Sequence, residues 1–491
     1  MGCAGRISVM KLRSICSLIG IVLALAASFA EAGPKPVMVH YMPWFMAKPY
    51  SSSWGWHWTM NHFNPDSTNA SGERQIASWY YPQASPYDSA DAAVLEYHVL
   101  LMKLAGIDGI IVDWYGPDNY LDYGLNNQRT AALFQYARKA GLKFCLCYED
   151  QTIQQEINGG YITAANAITH AQQTMLYVQT NYFADASYLQ WSNRPVLLNF
   201  GPQFFKTNSQ WQTIFSVLTN PPAFFTEDNR LPVGAGAFDW PPMWMSQTNS
   251  GVLSASALDS YLNSFQQSGA AWPAFISSAF PRFHDIYQQA GVGPSYGYLD
   301  DASGGTFRST LSRALTNKSA IVQIVTWNDY GEGTVVEPTT EYALRDLGVV
   351  QDLRRQFLDS NFLYHTNDLA LATRFYNLRR QYSGNPLVSA ELGRVFTNIV
   401  SADLNAADLQ LHGMEASLPV IYNLSLTHGL LEFSIGGFIF SNGADIQMSS
   451  NLFSSTWQTV DSFPASTNPM LFSIPVSGNG PAFFKVRSSN P

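Results

Sequence analysis

The sequence predicts a (β/α)8 barrel over residues 33–385, followed by a small all-β, sandwich-like module over 386–491. Three observations carry this reading. Short apolar runs that end in polar or aromatic residues alternate with amphipathic helical patterns, at the pitch of parallel β/α units. No glycine-rich phosphate loop follows the first run, which counts against a doubly wound sheet. From about residue 388 the period changes to apolar–polar alternation interrupted by Gly, Asn and Pro.

The strand candidates follow one another along the chain. They are "PVMVHYMPW" (36–44), "GIDGIIVDWYG" (106–116), "LKFCLCYED" (142–150), "RPVLLNFGP" (194–202), "VGAGAFDW" (233–240), "AWPAFISSAFPR" (271–282) and "AIVQIVTWNDYGEG" (320–333). "PPAFFTEDN" (221–229) supplies an eighth. Residues 91–106 read as a helix with Val94, Leu95, Val99, Leu101 and Leu104 on its apolar face and Gly106 as its stop. Residues 128–141 repeat that design, with Arg138 and Lys139 in the last turn before Gly141. Two more helical segments, about 343–358 and 366–382, close the barrel region, and "YSGNPL" (382–387) reads as a turn-rich break.

The N-terminus has the design of a secretion signal. Arg6, Lys11 and Arg13 precede an apolar run over 18–27, and Ala30-Glu31-Ala32 offers a small-x-small cleavage site. That run is shorter than the ~20 residues a membrane span needs. Residues 1–32 are therefore read as a signal peptide, and the mature protein as secreted or periplasmic. Cleavage would remove Cys3 and Cys16 and leave Cys145 and Cys147, which share one face of a strand. Their spacing suits two small core residues better than a disulfide.

Only 13% of residues are charged while 14% are aromatic, and the net charge is −9. That balance argues against nucleic acid or an anionic membrane as partner. Abundant Trp, Tyr, Asn and Asp suit a neutral polar ligand such as a sugar. Oligomeric state leaves no trace in the sequence. No metal-ligand spacing, no Gly-x-Ser-x-Gly elbow and no setting for a nucleophilic cysteine appears, so no cofactor is implied.

In a barrel, residues at strand ends converge on one rim. Those here are Tyr41, Trp44, Asp113, Trp114, Tyr148, Glu149, Asp150, Asn199, Asp239, Trp240, Arg282 and Trp327, together with the pair Asp329 and Glu332 in "TWNDYGEG" (326–333). Two carboxylates three residues apart at a barrel mouth repel, so one pKa should rise. A protonated acid beside an ionised base is the requirement of glycoside hydrolysis. Gly331 and Gly333 are expected to free the turn around Glu332. Trp56 and His57 in "WGWHW" (54–58) offer a stacking ring and a hydroxyl ligand, and Glu337 lies just beyond the pair.

"TWNDYGEG" resembles the catalytic loop of glycoside hydrolase family 71. Its continuation "EGTVVEP" (332–338), with "HYMPWF" (40–45) and "WGWHW", resembles family 99 instead; "GIDGIIVDWYG" is similar to both. The resemblance covers roughly residues 36–345 and places the catalytic pair on Asp329 and Glu332. The first of these is Glu in family 99, and the Asp here is one methylene shorter. Family 71 implies inversion, whereas family 99 implies proton removal from the sugar 2-hydroxyl and retention.

The expected function is thus hydrolysis of an α-linked poly- or oligosaccharide, α-glucan or α-mannan. Glu332 is the general acid and Asp329 the base or 2-hydroxyl activator. Tyr41, Trp44, Trp56, His57, Asp113, Trp114, Tyr148, Glu149, Asn199, Asp239, Trp327 and Glu337 are the expected sugar contacts. A catalytically silent sugar-binding barrel is the alternative from another class.

Overall fold

In the computed structural model, the described residues are 35–416 except 249–250, and beyond them the strands lying between 420 and 488. The signal-peptide reading falls on residues outside this range. Eight parallel strands form a closed barrel: β1 Val37–Tyr41, β2 Gly109–Trp114, β3 Lys143–Tyr148, β4 Arg194–Asn199, β5 Ala223–Glu227, β6 Gly236–Phe238, β7 Ile276–Ala279 and β8 Ile321–Ile324. β1 pairs with β2 and β8, and β3 with β4, so the ring has no open edge. The weakest strand candidate in the sequence, 221–229, is β5.

The barrel strands are almost wholly buried because helices cover them outside and side chains fill them inside. Residues paired in a parallel register share a face. His40 pairs with Ile111, Ile111 with Cys145, and Asp113 with Cys147, and these set the inward face. The same registers carry that face through Leu198, Phe225, Phe238, Ile276 and Ser278 to Gln323.

The first barrel helix, α1, spans Ala92–Ala105. The Asp91 side chain caps it by accepting from Ala93 N, and Gly106 ends it at φ +82°. A Cβ at Gly106 would meet Arg354 Cδ at 2.6 Å, so space and backbone both demand glycine there. Helices over Arg345–Phe357 and Leu369–Gln381 match the two expected segments.

The all-β expectation from residue 386 is corrected over its first part. Pro386–Val400 and Leu404–Glu415 are helices, and they pack on Leu369–Gln381. The turn-like "GNPL" is a helix start: Asn385 Oδ1 accepts from Leu387 N and Val388 N, and Pro386 occupies the first turn. Val388, Leu392, Val395, Phe396 and Ile399 then form its buried stripe. The change of style is real but begins near residue 420. There, two three-stranded antiparallel sheets (420–427, 430–436 and 470–475; 444–449, 458–463 and 483–488) enclose Phe433, Ile435, Ile446, Phe463 and Phe472. Among the described residues, no helix is long and apolar enough to cross a membrane.

Candidate active site

The C-terminal ends of the strands open into a cleft of about 240 Å³. Trp44, Trp56, His57, Asp113, Glu149, Asp329 and Glu332 line it, as the sequence predicted. His40, Tyr115, Gln151, Phe200, Trp240, Tyr287 and Tyr296 line it as well.

The loop with the carboxylate pair is held from several sides. Asn328 Oδ1 accepts from Met42 N (2.8 Å), and its Nδ2 donates to Met42 O and to the Tyr87 hydroxyl (both 3.0 Å). Asp329 N donates to Thr326 Oγ1 (2.8 Å), and Glu332 N donates to Asp329 Oδ1 (3.0 Å). His284 N and Ile286 N donate to the Glu332 and Gly331 carbonyls. Gly333 has φ +68°, and a Cβ there would sit 2.7 Å from His284 O, so this glycine is required. Gly331, expected to be its equal, has no positive φ; it instead leaves room beside Met60 and Asp329.

The electrostatics follow from burial without a cation. Burial pushes Asp329 up to about 6, restrained by the Glu332 and Gly331 N–H groups. Burial raises Glu332 well above the ordinary carboxylate range, and the charges of Asp329, Asp285, Glu227 and Glu149 add to this. Glu332 Oε2 has no hydrogen-bond partner. Both carboxyls are thus raised, but only Asp329 has backbone N–H groups favouring its ionised form, so Glu332 is the one that keeps a proton more readily, the asymmetry that acid–base chemistry needs.

A second pair lies across the site. Burial, then the Glu149 charge, raises Asp113 well above its ordinary value, and burial pushes Glu149 up to about 7 against a hydrogen bond from Gln151. Burial pushes His57 and His40 down to about 3, so both rings are neutral. His57 stacks on Trp44 at 4.1 Å and 7°, and Trp56 is 42% exposed at the rim. Trp58 is core, with Nε1 donating to Tyr87 O.

Seven expected sugar contacts are not in the cleft. Tyr41, Trp114, Tyr148, Asn199 and Asp239 each stand one residue out of phase with the inward face. Tyr41 bonds His98 (3.0 Å), Trp114 donates to Asn127 Oδ1, and Tyr148 is buried. Asn199 donates to Asp150 Oδ1, and Asp239 Oδ1 accepts from Ser278 N. Burial pushes Asp239 up to about 7, but it does not line the cleft. Trp327 is fully buried; its backbone N–H donates to His40 O, and its indole Nε1 has no hydrogen-bond partner. Glu337 is buried between the Tyr87 hydroxyl (2.7 Å) and His98 Nε2 (3.0 Å), a structural anchor below the loop.

Strand alternation was the missed signal. His40, Asp113, Glu149, Phe200 and Trp240 are the in-phase neighbours of those five. Tyr287 and Tyr296 come from a loop with no strand pattern to find them. Arg282, another strand-end candidate, is committed to Asp301 and Asp346, and Asp150 to the backbone N–H groups of Gln203, Phe204 and Phe205.

The sequence model of glycosyl hydrolase family 99 matches residues 35–370, the whole barrel with its cleft. The chain belongs to that family. It is therefore a glycoside hydrolase. A Danio rerio glycoprotein endo-alpha-1,2-mannosidase-like protein is 23% identical over 351 residues, 63% of this chain and 73% of the relative. The Mus musculus glycoprotein endo-alpha-1,2-mannosidase is 21% identical over 326 residues, 62% of each chain, so the match spans less than two thirds of the mouse protein. Among solved structures, the GH99 endo-alpha-mannosidase from Bacteroides thetaiotaomicron aligns with a TM-score of 0.50 at 17% identity. That alignment covers 67% of this chain and 99% of the other, a likeness of fold.

Proposed function

We propose that this family 99 glycoside hydrolase cleaves α-linked mannosides within a mannan-type chain, with Glu332 as general acid and Asp329 as its basic partner. The observation that carries the roles is the split in their ionisation. Asp329 Oδ1 accepts from Glu332 N, and the backbone N–H groups hold Asp329 at about 6, whereas Glu332 Oε2 has no hydrogen-bond partner and burial with the neighbouring carboxylates raises Glu332 well above the ordinary range. Glu332 then donates its proton to the leaving glycosidic oxygen, while Asp329 removes one from the attacking oxygen, either water or the sugar's own 2-hydroxyl. The names of the relatives support mannose as the sugar, and the neutral aromatic walls (Trp44, Trp56 and Trp240) suit the CH faces of a saccharide. The N-terminal segment supports export, with the mature chain starting near residue 33.

The test is product analysis on α-mannan oligosaccharides beside α-1,3-glucan, with the anomer of the first product followed by NMR. Cleavage of the mannan alone supports the reading. Retention assigns Asp329 to the 2-hydroxyl, inversion assigns it to water, and cleavage of the glucan alone overturns the mannose assignment.

A further inference from the structure

We propose that Asp118, Glu156 and His170 form a site for one divalent transition-metal ion of the zinc type, separate from the catalytic cleft. The three residues come from three elements: the loop after β2, the helix Thr152–Asn158 and the helix Ala167–Val178. None of them lines the cleft. His170 Nε2 stands 3.1 Å from Asp118 Oδ2 and 3.2 Å from Glu156 Oε2, and the three atoms lie within 4.8 Å of one another.

One ring nitrogen carries one hydrogen and so serves one of these oxygens well. That bond goes to Asp118. Glu156 Oε2, on a residue only 1% exposed, is left with no hydrogen-bond partner and aimed at the same nitrogen. A buried carboxylate oxygen without a partner is costly. A cation between the three atoms removes that cost at all of them at once. Ligands at ~2.0–2.2 Å on a tetrahedral zinc stand roughly 3.3 Å apart, close to the nitrogen–oxygen separations here. An imidazole with two carboxylates suits zinc and its neighbours better than the all-oxygen sites of calcium or magnesium.

The competing occupant is a proton. The Asp118 carboxylate, then that of Glu156, pushes His170 up to about 9, so without metal the triad is an imidazolium hydrogen-bonded to Asp118 with Glu156 Oε2 beside it. The consequence of metal would be mechanical. Tyr120 and Tyr123 already tie the same loop to Gln155, and that loop begins at Tyr115 in the cleft wall. A metal ion would brace it further.

The experiment uses tag-free, full-length protein stripped with a chelator, then titrated with Zn²⁺ in a calorimeter and with Co²⁺ by visible absorption. The expected result is one equivalent bound, tetrahedral Co²⁺ bands and a rise in Tm with Zn²⁺. Asp118→Asn and Glu156→Gln should each weaken binding at least tenfold. Asp118 is partly exposed, so its variant keeps the test sound if the buried one fails to fold. No saturable binding to the folded wild type would leave the triad a proton clamp and overturn the proposal. Undiminished binding in Asp118→Asn would overturn the ligand assignment.

Discussion

Two groups of buried carboxylates in the barrel domain differ in one respect: the first has arginines and the second has none. Asp301 and Asp346 are bound by Arg282 and Arg345, with Arg282 Nε on Asp301 at 3.1 Å and Arg345 Nη1 on it at 2.9 Å. Arg282 also lies 3.7 Å over the Tyr342 ring and donates to Val335 O. Burial alone would raise Asp301, but the Arg345 hydrogen bond and the two guanidinium charges outweigh it and hold it below the usual range. Asp113, Glu149 and Asp329 are buried as well and Glu332 is partly buried, and no Lys or Arg lies among the described residues of the cleft wall. Their pKa values all rise. Pairing with arginine fixes the charge of the first group and ties the wall together. Leaving the second group unpaired makes protonation variable near neutral pH, at a cost in stability.

The largest expected effect lies in the paired group. Arg282→Met should cost ~3–5 kcal/mol by denaturant unfolding, because it removes the buried cation shared by Asp301 and Asp346 and leaves both to the partly exposed Arg345 alone. A cost near zero would erase the distinction between the groups.

The tryptophans sharpen it on the apolar side. Trp58→Ala should lose ~3–5 kcal/mol, as a core ring does. Trp56→Ala should leave Tm nearly unchanged and raise KM, since its ring is exposed at the rim. A large Tm drop for Trp56→Ala would return it to the core.

A smaller effect separates the groups by sign in pH. Glu227, inward by register at the end of β5, is pushed up to about 8 by burial, then by the charges of Asp228 and Glu149. Its folded pKa exceeds its unfolded one, so its stabilising contribution is complete below about pH 4.5 and is lost as pH rises towards about 8. Glu227→Gln should therefore gain a few degrees of Tm at pH 8 and little at pH 4. Asp301 runs the other way: its contribution is present at neutral pH and is lost as pH falls below the ordinary carboxylate value. Equal Tm changes for Glu227→Gln at both pH values would contradict the assignment.

The smallest effect on catalysis should come from the C-terminal sheets. A chain ending at residue 416 keeps the helices that cover Leu369–Gln381 and should hydrolyse short oligosaccharides at a near-normal rate. One ending at 385 bares that apolar face and should be less soluble. Inactivity of the folded 416 form would mean that the sheets complete the site.

The fold was legible because parallel strands buried on both faces read as apolar runs, and even the weak run at 221–229 proved to be β5. The loop with the carboxylate pair was legible because Asp329 and Glu332 lie only three residues apart in the chain. The cleft wall was only half legible. Aromatic and acidic residue types pointed to Tyr41, Trp114, Tyr148, Asn199 and Asp239, but position in the pleat selects their neighbours instead. A one-residue error in phase exchanges the inside of a barrel for its outside. Pairings between distant segments, such as Glu337 with His98 or Arg282 with Asp346, leave no local pattern. Asn385-Pro386 carried two valid readings, a turn or a capped helix start, and the apolar stripe that follows decides for the helix.

The most direct test of the unpaired pair compares two substrates across Asp329→Asn and Glu332→Gln. One is a mannan oligosaccharide, whose leaving oxygen needs a proton; the other is an aryl-activated substrate, whose leaving group does not. Both variants should lose ~10²-fold or more on the oligosaccharide while remaining folded. On the activated substrate, Glu332→Gln should recover most of its rate in the first bond-breaking step and lose the alkaline limb of the pH profile, while Asp329→Asn should stay impaired. Recovery by Asp329→Asn in place of Glu332→Gln would exchange the two roles, and near-normal rates for both variants on the oligosaccharide would contradict the account.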